Sequence, residues 1–289
     1  MSEASEIGSP PAQPRALALT ALLSCAYLAL RYLSELVRPG LPASYPLLWI
    51  IGALTLLVYL AIVVSLASVI AASRSGAGGL VLAVLLLGGG CTLARWALVA
   101  RVGGSFWISS LTSLGDLLLV LAALCFGRLV AGMVRDRNLL LPVAIVASIV
   151  DFWGVYWGFV HYASEKAKEV VEHFLAHPPL AAAPIAGAPQ LGSIGLGDFV
   201  FMAVFFALVA RYGMALRATA WLSILLLFGA AFAFIHLQVL PGLPFLAAAV
   251  LIANWRRFNL SRPEKIMVIW TVVILSAVLV AVTLINRAW

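Results

Sequence analysis

The stretch LLLPVAIVASIVDFWGVYWGF, residues 139–159, decides the fold. It is continuously apolar and does not alternate as a half-buried strand would. Its length matches the roughly 20 residues that carry an α-helix across a hydrocarbon layer. Near its middle stands an acid, Asp151, with no Lys or Arg within one helical turn.

Runs of the same kind recur in both directions from it. Nine candidate spans are read, at about 16–37, 45–72, 78–100, 106–134, 139–162, 191–213, 218–240, 243–257 and 265–286. The 289 residues are 64% hydrophobic and 10% charged, whereas a soluble chain is about half apolar and a quarter charged. That balance excludes an ordinary soluble enzyme, a disordered chain and a nucleic-acid-binding domain. The net charge of +7 comes from cations scattered between apolar runs, as in a multi-pass membrane protein. Continuous runs also argue against a membrane β-barrel, whose strands alternate. The expected fold is an all-α polytopic bundle.

Four parts are expected. Residues 1–15 are a polar, proline-rich tail without the features of a secretory signal. Residues 16–134 hold four spans, 135–258 the functional core, and 259–289 a last helix. Arg31 and Glu35 have the spacing of an i,i+4 pair that reaches for the interface. In the long connection after 163, SEKAKEVVEHFLAH places Ala167, Val170, Val171, Phe174 and Leu175 on one stripe. It reads as an amphipathic surface helix. PPLAAAPIAGAPQLGSIGLG follows and is too rich in Pro and Gly to be helical throughout. Counting Lys and Arg by connection gives eleven on the N-terminal side and seven on the other. The excess favours a cytoplasmic N-terminus.

Acids inside apolar runs are the residues out of place, since an Asp near a helix centre costs about 2.5–3.5 kcal/mol on insertion scales. Asp151 shares a helix face with Ala147, Ser148, Gly154 and Gly158, small residues that admit a neighbouring helix. Asp198 lies in QLGSIGLGDFVFMAVFFALVARYG, after Gly192, Gly195 and Gly197. A structural reading exists for each: Asp151 hydrogen-bonded to a neighbouring helix, and Asp198 favoured by the dipole of a helix N-terminus. Measured from the connection between them, Asp198 lies about 10 Å deep and Asp151 about 16 Å, so the two can meet on adjacent antiparallel helices.

Two carboxyls at close range share a proton. The ionised member can then take a proton from water while the protonated member donates to a carbonyl oxygen. Asp198, near a helix start, is expected to be ionised and Asp151 to hold the proton. The third element is Pro241-Gly242-Leu243-Pro244. Its prolines leave backbone groups unpaired, which at membrane depth requires a cavity or buried protein. It reads either as a tight interhelical turn or as a segment able to pair with an extended substrate.

Together these residues resemble the intramembrane aspartyl proteases, the presenilin and signal peptide peptidase family. GLGDF at 195–199, the acid in the preceding span and the PxLP at 241–244 stand in the family's order. The resemblance covers about 140–258 and implies a prokaryotic-type homologue in the cell (inner) membrane. It implies a presenilin-like core with Asp151 and Asp198 as the catalytic pair. Gly195 and Gly197 match the glycines before the second acid. Pro241, Gly242, Leu243 and Pro244 match the segment that shapes the site and places substrate. The implied substrates are transmembrane helical peptides within membrane lipid. No cofactor, metal or nucleic acid is expected. The sequence departs from the family in three ways. Val150 stands where Tyr is usual, with Tyr156 no obvious substitute, and Gly242 replaces Ala, a change that reads as sterically mild. Four spans precede the first acid and one follows the Pro-Gly-Leu-Pro helix, against the family's five and none.

Two alternatives are read beside it. A prepilin-peptidase-like aspartyl protease also uses two membrane-associated acids, but usually has a Lys shortly after the second, where this chain has Phe199-Val200-Phe201. A proton-coupled transporter or channel would use buried acids as a relay. Asp116 supports that view, because SLGDLLLVLAALCFGRLV at 113–130 looks like residues 195–213. Ser109, Ser110, Thr112 and Ser113 instead suggest that Asp116 is near an interfacial helix start. Glu169, His173 and His177 have metal-ligand spacing, explained more simply by an amphipathic helix. His236 reads as a packed core residue. Cys25, Cys91 and Cys125 read as small apolar residues.

Overall fold

A computed structural model describes residues 13–37, 45–73, 75–99, 105–157, 175–176, 194–233 and 241–288. Among the described residues the long apolar runs form helices. They are α1 (Gln13–Val37), α2 (Tyr45–Ala72), α3 (Ala77–Val99), α4 (Ser105–Ala131) and α5 (Leu140–Tyr156), then α6 (Leu196–Arg211), α7 (Leu216–Ala233), α8 (Leu243–Asn254) and α9 (Arg262–Ala288). Short 3-10 turns precede α5 and follow α8. The described strands are β1 (Leu175–Ala176) and β2 (Ile194–Gly195), antiparallel, with Leu175 opposite Gly195.

Among the described residues seven helices are long and apolar enough to cross a membrane: α1 to α5, α7 and α9. The chain is therefore an integral, multi-pass helical membrane protein. The other two expected spans are shorter. Helix α6 has 16 residues and α8 has 12, where a perpendicular crossing needs about 20. Both begin at the unusual sequences: α6 directly after Gly195, α8 directly after Pro241-Gly242. Leu175 and Ala176, expected at the end of a surface helix, are in a strand, and the rest of that helix, 164–174 and 177, lies outside the described residues. So do His173, His177, Glu169, His236 and Gly158.

Helix α6 is the centre of the bundle. Met202 through Val209 are all buried, as expected for a helix apolar on every side. Around it pack α2, α4 and α8, with α3 outside α4, α1 outside α2, and α7 against α8 and α2. Helix α5 leans on α8, and α9 leans on α5. Helix α9 has no buried residue in its span and is held to α5 by Trp153, whose Nε1 donates to Thr283 Oγ1 at 2.8 Å.

Polar side chains tie the helix ends together at one face. The Arg128 guanidinium donates to the carbonyls of Ala71 and Ser73, satisfying groups at the end of α2. Arg211 Nη1 donates to the carbonyl of Val134 at 3.1 Å, and Tyr212 Oη to the same oxygen at 3.0 Å. Asn254, buried at the end of α8, accepts from the Ala215 N–H at 2.8 Å and donates to Thr219 Oγ1 at 2.9 Å. The C-terminal ends of α2, α4, α6 and α8 thus share a face, and these four helices run in the same direction.

Candidate active site

Asp198 is the third residue of α6. Its carboxyl turns back so that Oδ2 accepts from the Gly195 N–H at 3.3 Å, which satisfies a donor left over at the helix start. Gly195 is extended, with φ −70° and ψ 150°, and forms the bridge to β1. The helix therefore starts five residues later than the sequence reading placed it, and Asp198 lies in a first turn instead of seven residues into a span.

Asp151 lies on α5, eleven residues after its start. Its neighbour is α8 more than α6. Asp151 Oδ2 accepts from the Leu243 N–H at 3.1 Å. Leu243 is the first residue of α8, so this N–H is one that the helix itself cannot satisfy. Each acid thus accepts a backbone donor at a helix N-terminus. The dipole argument that singled out Asp198 as the ionised member applies to Asp151 as well.

Gly242 joins the two acids. A Cβ built on it would stand 2.7 Å from Asp198 Oδ1 and 3.0 Å from Asp198 Cγ. The Asp198 carboxyl is therefore packed against the bare Cα of Gly242, one residue from the N–H that holds Asp151. Helices α5 and α6 touch directly over a short stretch, and both carboxyls reach the same Pro241-Gly242-Leu243 corner at the start of α8. A methyl at 242, read as mild, would have to push aside the Asp198 carboxyl, the end of a flexible side chain. Asp198 Oδ1 is buried and has no hydrogen-bond partner among the described residues. Pro241 and Leu243 are buried, and Pro244 sits in the first turn of α8.

The remaining expected residues are placed less tightly. Gly197 is exposed, and a Cβ there would meet nothing within 4 Å. A Cβ on Gly195 would make an ordinary contact, 3.6 Å from Asp198 Oδ2. Neither glycine is demanded by packing. Tyr156 packs at a tilt against Phe152, ring centroids 4.9 Å apart, and against Trp157 at 5.9 Å. Val150 is exposed. Beside the site, a groove of about 580 Å³ lies between α5 and α9, lined by Ser148, Phe152, Trp153 and Thr283 and reaching Pro244.

Asp116 is elsewhere, and the expectation that it stands near an interfacial helix start is corrected. It lies eleven residues into α4, 1% exposed, not near a helix start. Its Oδ2 is 3.2 Å from Arg31 Nη2 and its Oδ1 3.0 Å from Arg95 Nη2. Arg31 turns inward at 2% exposure instead of reaching for the interface, and its Nε donates to Ser113 Oγ at 3.4 Å. The sequence marks Asp116 as an acid out of place but gives no signal for its partners, which lie on two other helices.

No family model, curated protein or solved structure matches the chain. The geometry holds two carboxyls at one backbone corner, each accepting from a backbone N–H at a helix N-terminus, inside an apolar bundle. Such a pair can hold a proton between its members and polarise a water and a carbonyl together.

Proposed function

We propose that this protein is an intramembrane aspartyl protease that hydrolyses peptide bonds of transmembrane segments, with Asp151 and Asp198 as the catalytic pair. The observation that carries the reading is the convergence of both carboxyls on Gly242-Leu243. In the proposed step the ionised carboxyl takes a proton from water as the water oxygen bonds to the scissile carbonyl carbon. The protonated carboxyl donates to the carbonyl oxygen. Collapse of the tetrahedral intermediate breaks the C–N bond, and the amine leaves with a proton. The helix N-termini of α6 and α8 favour the negative charge that the pair retains.

The resemblance to the presenilin and signal peptide peptidase family supports the same assignment, with Pro241, Gly242, Leu243 and Pro244 placing substrate. The groove that reaches Pro244 is apolar and suits a transmembrane helix. The face where α4, α6 and α8 end is rich in Arg, including Arg135, Arg137, Arg211, Arg217, Arg256 and Arg257. As the cytoplasmic face it puts the N-terminus inside and favours substrates whose own N-terminus is cytoplasmic. The ion pairs of Asp116 with Arg31 and Arg95 give that acid a structural role apart from the Asp151–Asp198 pair.

The test is cleavage of a transmembrane reporter peptide by the purified protein in lipid, with and without a transition-state aspartyl-protease inhibitor. Cleavage is expected to be inhibitor-sensitive and to fall to background in Asp151→Asn and in Asp198→Asn. Its rate is expected to be bell-shaped against pH, the limbs belonging to the pair. Unchanged cleavage by Asp198→Asn would end the proposal. Proton-linked flux lost in both variants, with no cleavage by the wild type, would replace it with a transporter.

A further inference from the structure

The connection from α4 to α5 and the connection from α8 to α9 are bonded to each other. Asn138 Nδ2 donates to the Asn259 carbonyl at 3.2 Å, and the Asn259 N–H donates to Asn138 Oδ1 at 3.5 Å. Five arginines lie within three residues of that contact: Arg135 and Arg137 on one connection, Arg256, Arg257 and Arg262 on the other. All five are exposed. Like charges gathered in this way repel, so the fold holds together cations that would otherwise separate.

Two acids stand beside them, and both carboxyls are taken up by backbone donors. Asp136 Oδ1 accepts from the Asn138 N–H at 2.9 Å, and Glu264 Oε2 from the Ser261 N–H at 2.6 Å. Among the described residues none of the five arginines pairs with a carboxylate. The membrane-length spans of α5 and α9 begin at Arg137 and Arg262, which puts these cations at the ends of the apolar helices, at headgroup level. Trp255, exposed and next to Arg256, has the place of an interfacial anchor. Below the cations the surface is apolar: Ile266 and Met267 are exposed about one turn beyond Arg262 on α9. A guanidinium fork suits a phosphate. A soluble phosphate would engage the cations alone, whereas a phosphate carrying an acyl chain matches both the cations and the apolar surface below them.

We propose that the two connections form a binding site for an anionic phospholipid, its phosphate bridging one arginine from each and an acyl chain lying against Ile266 and Met267. The lipid ties the start of α5, which carries Asp151, to the end of α8. The site does not depend on the function proposed above.

The test is native mass spectrometry of delipidated protein offered equal amounts of phosphatidylglycerol and phosphatidylcholine with matched chains. One basic residue near a headgroup is worth about five-fold, so a phosphate held by two is expected to give phosphatidylglycerol a preference of about 25-fold. Arg137→Gln and Arg257→Gln are each expected to cut that preference by about five-fold. Arg217→Gln removes an exposed cation at the start of α7 and lowers the net charge equally; it is expected to leave the preference unchanged. Asn138→Ala removes no charge but frees the two connections from each other, and is expected to weaken the preference as much as losing one arginine. Thermal midpoints in detergent check that each variant is folded; should Asn138→Ala fail to fold, the arginine variants decide. Equal retention of the two lipids by the wild type would overturn the proposal. So would equal losses in Arg217→Gln and Arg137→Gln, the mark of diffuse charge, or an unaltered preference in folded Asn138→Ala. Displacement of the lipid by millimolar glycerol 3-phosphate would overturn it in favour of a soluble phosphate.

Discussion

A methyl group on Gly242 would overlap the Asp198 carboxyl, 2.7 Å from Oδ1 and 3.3 Å from Oδ2. The backbone there is fixed by the Leu243 N–H on Asp151 and by the Leu246 N–H on the Gly242 carbonyl at 3.2 Å. The carboxyl must therefore be the part that moves. Gly242→Ala is expected to lower the cleavage rate by about 10–100-fold, the scale of a misplacement of about 1 Å, with little change in thermal stability. A wild-type rate in the reporter assay would mean that the position of Asp198 against the corner is unimportant. The two acids and the Pro-Gly-Leu-Pro segment are visible in the sequence because charge and proline are conspicuous in apolar runs. The contact at 242 is not visible, because it is made by a side chain on another helix. For the same reason Gly197, which looks demanding in the sequence, meets only open space.

Helices α4 and α6 meet at Gly127. A Cβ there would collide with the Val200 carbonyl oxygen and stand 2.8 Å from Ala203 Cβ, so the two backbones touch where glycine allows it. Neither obstacle is a flexible chain end, and α6 is hemmed in by α2 and α8. Gly127→Ala is expected to destabilise the fold by about 1–3 kcal/mol, the range for overpacking a close contact. Thermal unfolding in detergent would show it as a lowered midpoint, and an unchanged midpoint would mean that the helices separate freely. Most helices are legible in the sequence, since each is an apolar run of spanning length; α2 coincides with its expected bounds of 45–72. The starts of α6 and α8 are not. Ile194 is as apolar as Leu196, and only the bridge to β1 shows that the former is extended. Hydropathy reports burial in lipid or protein alike and is silent on where a helix begins at depth.

Across the whole molecule, the N-terminal helices are joined by charge. Arg31 on α1, Arg95 on α3 and Asp116 on α4 meet in the interior, and Asp116 is the acid between the two cations. Removing the acid takes away the carboxylate that both guanidiniums face, Arg31 fully buried and Arg95 partly so. Breaking a buried ion pair in this way costs about 3–5 kcal/mol, whereas replacing all its members with apolar groups of similar size is often neutral. Asp116→Leu is therefore expected to yield little folded protein. Arg31→Met and Arg95→Met added to it are expected to restore most of the thermal stability. The two variants also separate structure from chemistry. If Asp116 serves only to hold the helices, the refolded triple variant cleaves the reporter within a few-fold of the wild type, since Asp151 and Asp198 are untouched. A triple variant that is folded by thermal unfolding and circular dichroism but inactive would give Asp116 a part in the reaction itself, and the division between an N-terminal scaffold and the proposed catalytic core at 135–258 would have to be redrawn.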